Sequence, residues 1–209
     1  MTEHPSPAAS SPQRILGVDP AASGPTGYGI IETNGRRLRV LRYGALEIAP
    51  KRRKSSAGAC LYDVHCLLCD LIEEFHPAVM AVESVFTALN MRTALRLAEV
   101  RGVVLLAAEQ HGIAVSSYSP REVKACVAGY GHADKRQMQL MVRSLLKLEE
   151  TPEPSDAADA LAVALCHIRG EQFARRFGLE QARSARRANR TPAARRPMPV
   201  RSEVPQVSR

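Results

Sequence analysis

Apolar residues at the start of the chain follow the spacing of β-strands. RILGVD at 14–19 is a short apolar run, GYGIIET at 27–33 follows a Gly-Pro-Thr-Gly turn, and the segment 36–48 alternates polar and apolar residues. The pair Asn34-Gly35 lies between the second and third segments, and such a pair is a strong hairpin signal. The pattern predicts three strands in a meander.

Further along the chain, helical spacing alternates with two more strand-like runs. Apolar residues recur every three or four positions in the segments 57–75, 91–110, 119–129, 133–148 and 154–170, and short apolar runs occupy 78–84 and 113–119. The predicted order is therefore β-β-β-α-β-α-β-α-α-α. This order is typical of an α/β domain in which helices flank a five-stranded mixed sheet, with the strands in the order 3-2-1-4-5.

Two carboxylates interrupt the apolar surface of the last predicted helix, in the stretch PSDAADALAVALCHIRG at 154–170. Asp156 and Asp159 are three residues apart, so they lie on the same helical face about one turn apart. A carboxylate that faces a packed interior is costly unless it is paired or neutralised. The spacing therefore predicts a cationic group beside this face.

Two further carboxylates end the first and fourth predicted strands. Asp19 closes RILGVD, and Glu83 follows the apolar run AVMAV. In an open α/β sheet, ligands bind beyond the carboxyl ends of the strands. If these two strands are parallel neighbours, their acids lie side by side, and the last helix can bring Asp156 and Asp159 to the same point.

Four acids in one pocket repel one another, so such a site requires bound divalent cations. Ligation by oxygen alone favours Mg²⁺, with Mn²⁺ as a substitute, over Zn²⁺. Two such ions about 4 Å apart can promote in-line displacement at phosphorus, where one activates a water and the other stabilises the leaving oxygen. The predicted chemistry is metal-dependent phosphodiester hydrolysis with two ions per site.

Composition limits the class of protein without deciding its function. The chain has 209 residues, of which 45% are hydrophobic, and this is enough for one well-buried domain. No run of eighteen apolar residues occurs, and the first dozen residues lack the basic start and apolar core of a signal peptide. Five cysteines without a regular spacing favour reduced thiols. We therefore expect a cytoplasmic protein without a membrane span.

The net charge of +8 is concentrated at the end of the chain. Residues 170–209 contain ten Arg and three Glu, so seven of the eight net positive charges lie there. We expect a disordered N-terminal extension at 1–13, a folded domain at 14–169, and a basic, disordered tail at 170–209 that can bind polyanions without reading their sequence. The basic segment Lys51-Arg52-Arg53-Lys54 offers similar contacts to a DNA backbone.

Several motifs of the folded domain resemble the RuvC family of Holliday junction resolvases. They are ILGVDP…TGYGII, AVESVF, RGVVLLAA, YSPREVKACVAGYGHADKRQMQLMVRSLLKL and SDAADALAVALCH, and they keep the family's order and spacing over residues 14–168. The resemblance implies an RNase H-like fold, a homodimer, and Mg²⁺-dependent nicking of two opposing strands of four-way junction DNA. The family's four catalytic acids fall on Asp19, Glu83, Asp156 and Asp159.

The resemblance also implies roles outside the acidic cluster. Phe86 corresponds to an aromatic residue that contacts a junction base, and Lys124 and Lys135 correspond to lysines that hold the DNA backbone. A RuvA–RuvB branch-migration complex is the implied partner. One departure is Ala21, which stands where the family has Gly, and Ala cannot adopt a positive φ at low cost.

Other interpretations fit less of the sequence. An actin-like ATPase shares the three-strand start but needs a second lobe, and no Walker motif occurs here. A non-catalytic junction-binding module would not require four acids, while an RNase H-like nuclease with another nucleic-acid substrate remains open. The cluster Cys60, His65, Cys66 and Cys69 suggests zinc, but one helix supplies all four side chains, so we expect them to be packing residues.

Overall fold

The computed structural model describes residues 11–22, 24–47, 56–84 and 90–177. The predicted order of elements is confirmed within these residues. The elements are β1 (Gln13–Asp19), β2 (Pro25–Thr33), β3 (Leu38–Glu47), α1 (Ala57–Phe75), β4 (Val79–Glu83), α2 (Met91–Gln110), β5 (Ala114–Tyr118), α3 (Pro120–Ala128), α4 (Lys135–Leu146) and α5 (Ser155–Arg176).

The five strands form one mixed sheet in the predicted order β3-β2-β1-β4-β5. β1 pairs antiparallel with β2, and β2 with β3, which confirms the meander. β4 lies parallel to β1 on one side and parallel to β5 on the other. The carboxyl ends of β1, β4 and β5 therefore meet at one edge of the sheet.

The two faces of the sheet bury different cores, because successive side chains of a strand point to opposite faces. On one face, Leu16 and Val18 of β1 pack with α1 and α2. On the other face, Ile15 of β1 and Ala81 of β4 pack with α3, α4 and α5. We call the first the α1/α2 face and the second the α5 face.

Helices α3 and α4 begin beside the strand ends, and each begins with a capping box. Ser119 and Glu122 bond to each other's main chain at the start of α3, where Pro120 occupies the first turn. Asp134 and Gln137 do the same at the start of α4. These caps satisfy main-chain N–H groups that helix starts leave without partners, so both starts are fixed next to the sheet edge.

The described residues up to 172 belong to one compact unit, and residues 173–177 belong to a second. Helix α5 continues to Arg176, beyond the boundary that we expected at 169, because Glu, Gln, Ala and Arg are all good helix formers. In the second unit the rings of Phe173 and Phe177 have centroids 4.4 Å apart. The remainder of the expected tail, the N-terminal residues 1–10 and the basic segment 51–54 lie outside the described residues. None of the described helices combines the length and apolarity needed to cross a membrane.

Candidate active site

Asp19 and Glu83 are neighbours at the sheet edge, as the sequence predicts. Val18 of β1 is in register with Val82 of β4, so the next residue of each strand lies beside the other. Both acids follow the alternation of their strands onto the α5 face, so their carboxyl groups lie on the same side of the sheet.

Helix α5 brings the other two acids to this pair because it lies directly on the backbone of β1 and β2. A Cβ atom added to Gly27 would overlap the main-chain oxygen of Asp156, and one added to Gly17 would overlap the oxygen of Ala160. Gly27 is also the register partner of Asp19. The first turn of α5 is therefore held against the sheet next to the carboxylate of Asp19.

The electrostatics of the cluster follow from burial and from the charges of its own members. Burial raises the pKa of Asp19 well above its ordinary value, and the negative charges of Glu83, Asp159 and Asp156 raise it further. Burial also raises the pKa of Glu83, with Asp159 adding to the shift and Lys124 opposing it. The pKa of Asp159 is raised by burial and held back by Lys135. The cluster thus contains more negative charge than the protein neutralises.

A cavity of about 250 Å³ opens beside these acids. Its lining consists of Asp19, Glu83, Pro120, Val123, Lys124, Lys135, Met138, Asp159 and Ala162. The ammonium of Lys135, at the first position of α4, lies 3.4 Å from Oδ2 of Asp159. Both predicted lysines therefore line the same cavity as three of the acids. Asp156 lies next to this lining, and its Oδ2 accepts a hydrogen bond of 3.3 Å from Ser155 Oγ.

The donor set has the chemistry of a divalent-cation site but is not arranged as one. Within the described residues, no three His, Cys, Asp or Glu side chains are arranged so that they could hold a metal ion as they stand. Asp159 is paired with Lys135, and Asp19 is buried beside Glu83. Oxygen-only donors with excess negative charge suit Mg²⁺ or Mn²⁺. The residues present fit such an ion once Lys135 releases Asp159.

Three other predicted features have different outcomes. Phe86 lies in the segment 85–89, outside the described residues. Ala21 keeps a negative φ, and its main-chain N–H donates to Thr26 Oγ1 at 3.5 Å, so the loss of the family's glycine causes no strain there. In the cysteine cluster, His65 Nε2 bonds to Gln110 at 2.6 Å and lies 3.7 Å from Cys69 Sγ, and the packing role of these side chains stays a prediction.

Sequence reasoning missed one residue next to the site. Arg101 of α2 donates to the main-chain oxygen of Glu83 at 3.2 Å and to Ser117 Oγ at 2.8 Å. In the sequence, only its position next to the buried Val100, on a helix that packs against the sheet, distinguishes it from the other arginines of α2. Its partners lie 16 and 18 residues away, so spacing alone could not identify them.

The strand order, the helices on both faces and the carboxylates at the ends of β1 and β4 define an RNase H-like nuclease domain. T. thermophilus RuvC in complex with a Holliday junction substrate has a similar structure, with a TM-score of 0.71 and 33% identity over 77% of this chain and 96% of that chain. The yeast mitochondrial Holliday junction resolvase Ydc2 shares the fold at a TM-score of 0.56 and 18% identity, covering 79% of this chain and 84% of that chain.

The sequence comparisons identify the family. The family model for the crossover junction endodeoxyribonuclease RuvC matches residues 15–167. RuvC of Caldicellulosiruptor saccharolyticus is 46% identical over 156 residues, which cover 74% of this chain and 92% of that protein. RuvC of Roseiflexus is 43% identical over 164 residues, which cover 78% and 95%. The chain belongs to the RuvC family of crossover junction endodeoxyribonucleases, which are metal-dependent nucleases.

Proposed function

We propose that the chain is a structure-selective endodeoxyribonuclease that resolves Holliday junctions by paired nicks in opposing strands during homologous recombination and DNA repair. The observation that carries the proposal is the convergence of strand-end and helix carboxylates beside two lysines in one cavity. A family relative with a similar structure has been solved in complex with a Holliday junction substrate, which supports the same substrate here.

The proposed metal ligands are Asp19, Glu83, Asp156 and Asp159. The pKa of Asp19, which burial and the neighbouring carboxylates raise, supports this assignment, because a divalent cation would neutralise the negative charge. We propose two Mg²⁺ ions per site, replaceable by Mn²⁺; such a pair activates a water and stabilises the leaving oxygen of a phosphodiester. The four side chains hold and orient this charge, and the sheet and α5 fix their main chains.

Lys124 and Lys135 are proposed to hold the phosphates of the cleaved strand. Both line the cavity, and Lys135 lies in the first turn of α4, where the positive end of the helix dipole also favours an anion. Charge supports this role as well, because Lys135 already contacts Asp159 and can bridge acid and phosphate. Phe86 remains a proposed contact to a junction base, on the family resemblance of AVESVF.

The proposed active form is a homodimer, because one site cuts one strand and a junction is cut on two symmetry-related strands. An apolar stripe on α2 supports a symmetric interface: Met91, Leu95 and Leu105 are exposed, and the small residues Ala98 and Gly102 lie between them at spacings of three and four. Such a stripe can pack against its own copy around a two-fold axis. The second copy is the partner that we propose for it.

Two further statements rest on family membership. We propose that the dimer cooperates with a RuvA–RuvB branch-migration complex, and that it works in the cytoplasm, where DNA recombination takes place in bacteria. In this proposal the apolar stripe on α2 binds the second copy of the chain and not the RuvA–RuvB complex. The basic residues 170–209 would add sequence-independent contacts to DNA.

The test compares a mobile four-way junction, a linear duplex and an RNA–DNA hybrid, each incubated with the full chain with and without Mg²⁺. Paired nicks in opposing strands of the junction, dependent on Mg²⁺, are the expected result. Cleavage of the hybrid alone would indicate an RNase H-like nuclease with another substrate. Junction binding without cleavage under Mg²⁺ or Mn²⁺ would indicate a non-catalytic binding module, and either outcome overturns the proposal.

A further inference from the structure

Arg101 connects helix α2, on the α1/α2 face, to the strand end that carries Glu83. Its guanidinium donates to the main-chain oxygen of Glu83 at 3.2 Å through Nη1 and to Ser117 Oγ at 2.8 Å through Nη2. Glu83 is the last residue of β4, and Ser117 lies on the adjacent strand β5. One side chain therefore binds two neighbouring strands at the sheet edge where the acids meet.

The end of β4 is held from a second direction as well. Ser84 donates to the main-chain oxygen of Tyr118 through its N–H at 2.8 Å and through its Oγ at 3.1 Å. With the bond from Arg101, the peptide group that follows the Glu83 α-carbon is fixed to α2 and to β5, and Val82 on the other side is paired with β1 and β5. Fixed main-chain atoms on either side leave the Glu83 carboxyl few directions other than its side-chain torsions.

Arg101 reaches Glu83 from the face opposite to the carboxylate. The neighbouring residues Met80 and Val82 of β4 pack on the α1/α2 face, whereas Ala81 packs on the α5 face. By the same alternation the Glu83 carboxyl points to the α5 face, where Lys124 is the cation that opposes its raised pKa. The guanidinium binds the main chain on the opposite side from this carboxylate, so it affects the position of the carboxylate and not its charge directly.

We propose that Arg101 is a positioning residue that holds Glu83 in place for metal binding, and that Ser117 orients Arg101. The inference rests on the proposed function, in which Glu83 is a metal ligand. Groups that orient metal ligands without touching the metal typically contribute about 10- to 100-fold to metal affinity or activity. A bidentate guanidinium suits this role better than an ammonium, because its donors have a fixed geometry.

The variants form a graded series. Arg101→Gln removes both bonds, Arg101→Lys keeps the charge but loses the paired geometry, and Ser117→Ala keeps the arginine but removes its second partner. Arg96→Gln is the matched control, because Arg96 is an exposed arginine on the same helix. Asp19→Asn provides the reference for a lost ligand.

The principal measurement is Mn²⁺ binding to the full chain without DNA, by isothermal titration calorimetry. We expect the Mn²⁺ dissociation constant to rise about tenfold for Arg101→Gln, with smaller rises for Arg101→Lys and Ser117→Ala and no change for Arg96→Gln. Junction binding in EDTA should change by less than about twofold in the Arg101, Ser117 and Arg96 variants, because none of these three side chains lines the cavity. The melting temperature without metal reports any loss of fold.

Two outcomes would overturn the inference. One is a folded Arg101→Gln protein with wild-type Mn²⁺ affinity. If Arg101→Gln does not fold, Ser117→Ala decides, and an unchanged Mn²⁺ dissociation constant in that variant rejects the role of the pair. Failure of the proposed function is separate, because it would appear as a wild-type protein that does not cleave junctions, or as an Asp19→Asn protein that still does.

Discussion

The two faces of the sheet are packed by different means. On the α1/α2 face, large aliphatic side chains such as Leu16, Ile30 and Leu68 fill the space between helices and strands. On the α5 face, the glycines of β1 and β2 let the main chain of α5 lie on the main chain of the sheet. On the α1/α2 face, side chains keep the helices apart from the sheet. On the α5 face, the helix lies directly on the sheet at the point where the acids meet.

This difference separates stability from alignment. Side-chain packing can adjust to a substitution, because neighbouring rotamers shift at a moderate cost in the free energy of unfolding. Contact between main chains has no such freedom, so any added atom moves the whole helix. We therefore expect substitutions of the aliphatic residues on the α1/α2 face to change mainly stability, and substitutions of the glycines under α5 to change mainly cleavage.

The largest effect should come from the acids themselves. Asp19→Asn should lower the rate of junction cleavage by about 100-fold or more, the scale on which loss of one group that stabilises transition-state charge is measured. Junction binding should be retained or strengthened, because the substitution removes a negative charge near the phosphates. Cleavage assays and gel shifts in EDTA measure the two properties. A variant that binds weakly but cuts normally at saturating protein would contradict the assignment.

The next effect tests the close approach of α5. Gly27→Ala places a Cβ against the main-chain oxygen of Asp156, so the start of α5 must move. Because a displacement of about 1 Å can cost about 100-fold in rate, we expect cleavage per folded molecule to fall by about that factor. Gly170→Ala is the matched control, since that α5 glycine has open space around it. Equal activity of the two variants would contradict the claim that the close approach of α5 to the sheet sets the alignment of the acids.

A substitution on the other face should give the opposite result. Leu68→Ala removes a fully buried side chain of α1 and should lower the free energy of unfolding by about 2–5 kcal/mol. Urea denaturation measures this loss. Cleavage per folded molecule, assayed well below the melting temperature, should stay within about twofold of wild type. A large loss of cleavage without a loss of stability would show that the aliphatic packing of the α1/α2 face also sets the alignment of the acids.

The smallest effect concerns pH. The pKa of Asp19 is raised in the folded protein, so the fold favours the protonated form of this carboxyl. The contribution of this group to the free energy of unfolding is therefore higher at low pH than at neutral pH. Its contribution is fully present below the unfolded pKa and is lost as the pH rises through the folded pKa. Without metal, Asp19→Asn should therefore melt above wild type at neutral pH, and the difference should vanish at low pH. Thermal melting in EDTA from pH 4 to 8 measures it.

Added Mg²⁺ provides the control for this prediction. A divalent cation would neutralise the acids of the folded wild type, so the melting temperature of wild type should rise with Mg²⁺ and that of Asp19→Asn should rise less. Absence of any stability difference between the two proteins in EDTA at neutral pH would contradict the raised pKa of Asp19.

Local patterns were enough to predict most of the fold. Helix α1 spans Ala57–Phe75 as predicted, because Ser56 caps its start and His76-Pro77 follows its end. Likewise, strands β1 and β4 end on the acids that the apolar runs indicated. Helix α5 extended beyond the prediction, because the isolated Gly170 did not end a segment of good helix formers.

The site could be predicted only in part, for a physical reason. The residue types and strand ends of Asp19 and Glu83 were visible in the sequence, and the spacing of Asp156 and Asp159 indicated a shared face. The support from Gly27 and Arg101 was not visible, because it depends on which elements pack together. A glycine in a strand has several possible causes, and an arginine on a helix has many possible partners.

The glycines of β1 and β2 also bear on how this domain can change over evolutionary time. The height of α5 above the sheet is set by main-chain atoms, which are the same in every amino acid, so it does not depend on the composition of the opposite layer. The α1/α2 face can therefore exchange aliphatic residues to suit a hotter or colder habitat while α5 keeps its distance from the sheet beside the cavity. The aliphatic positions that set stability are therefore separate from the glycines that set the height of α5.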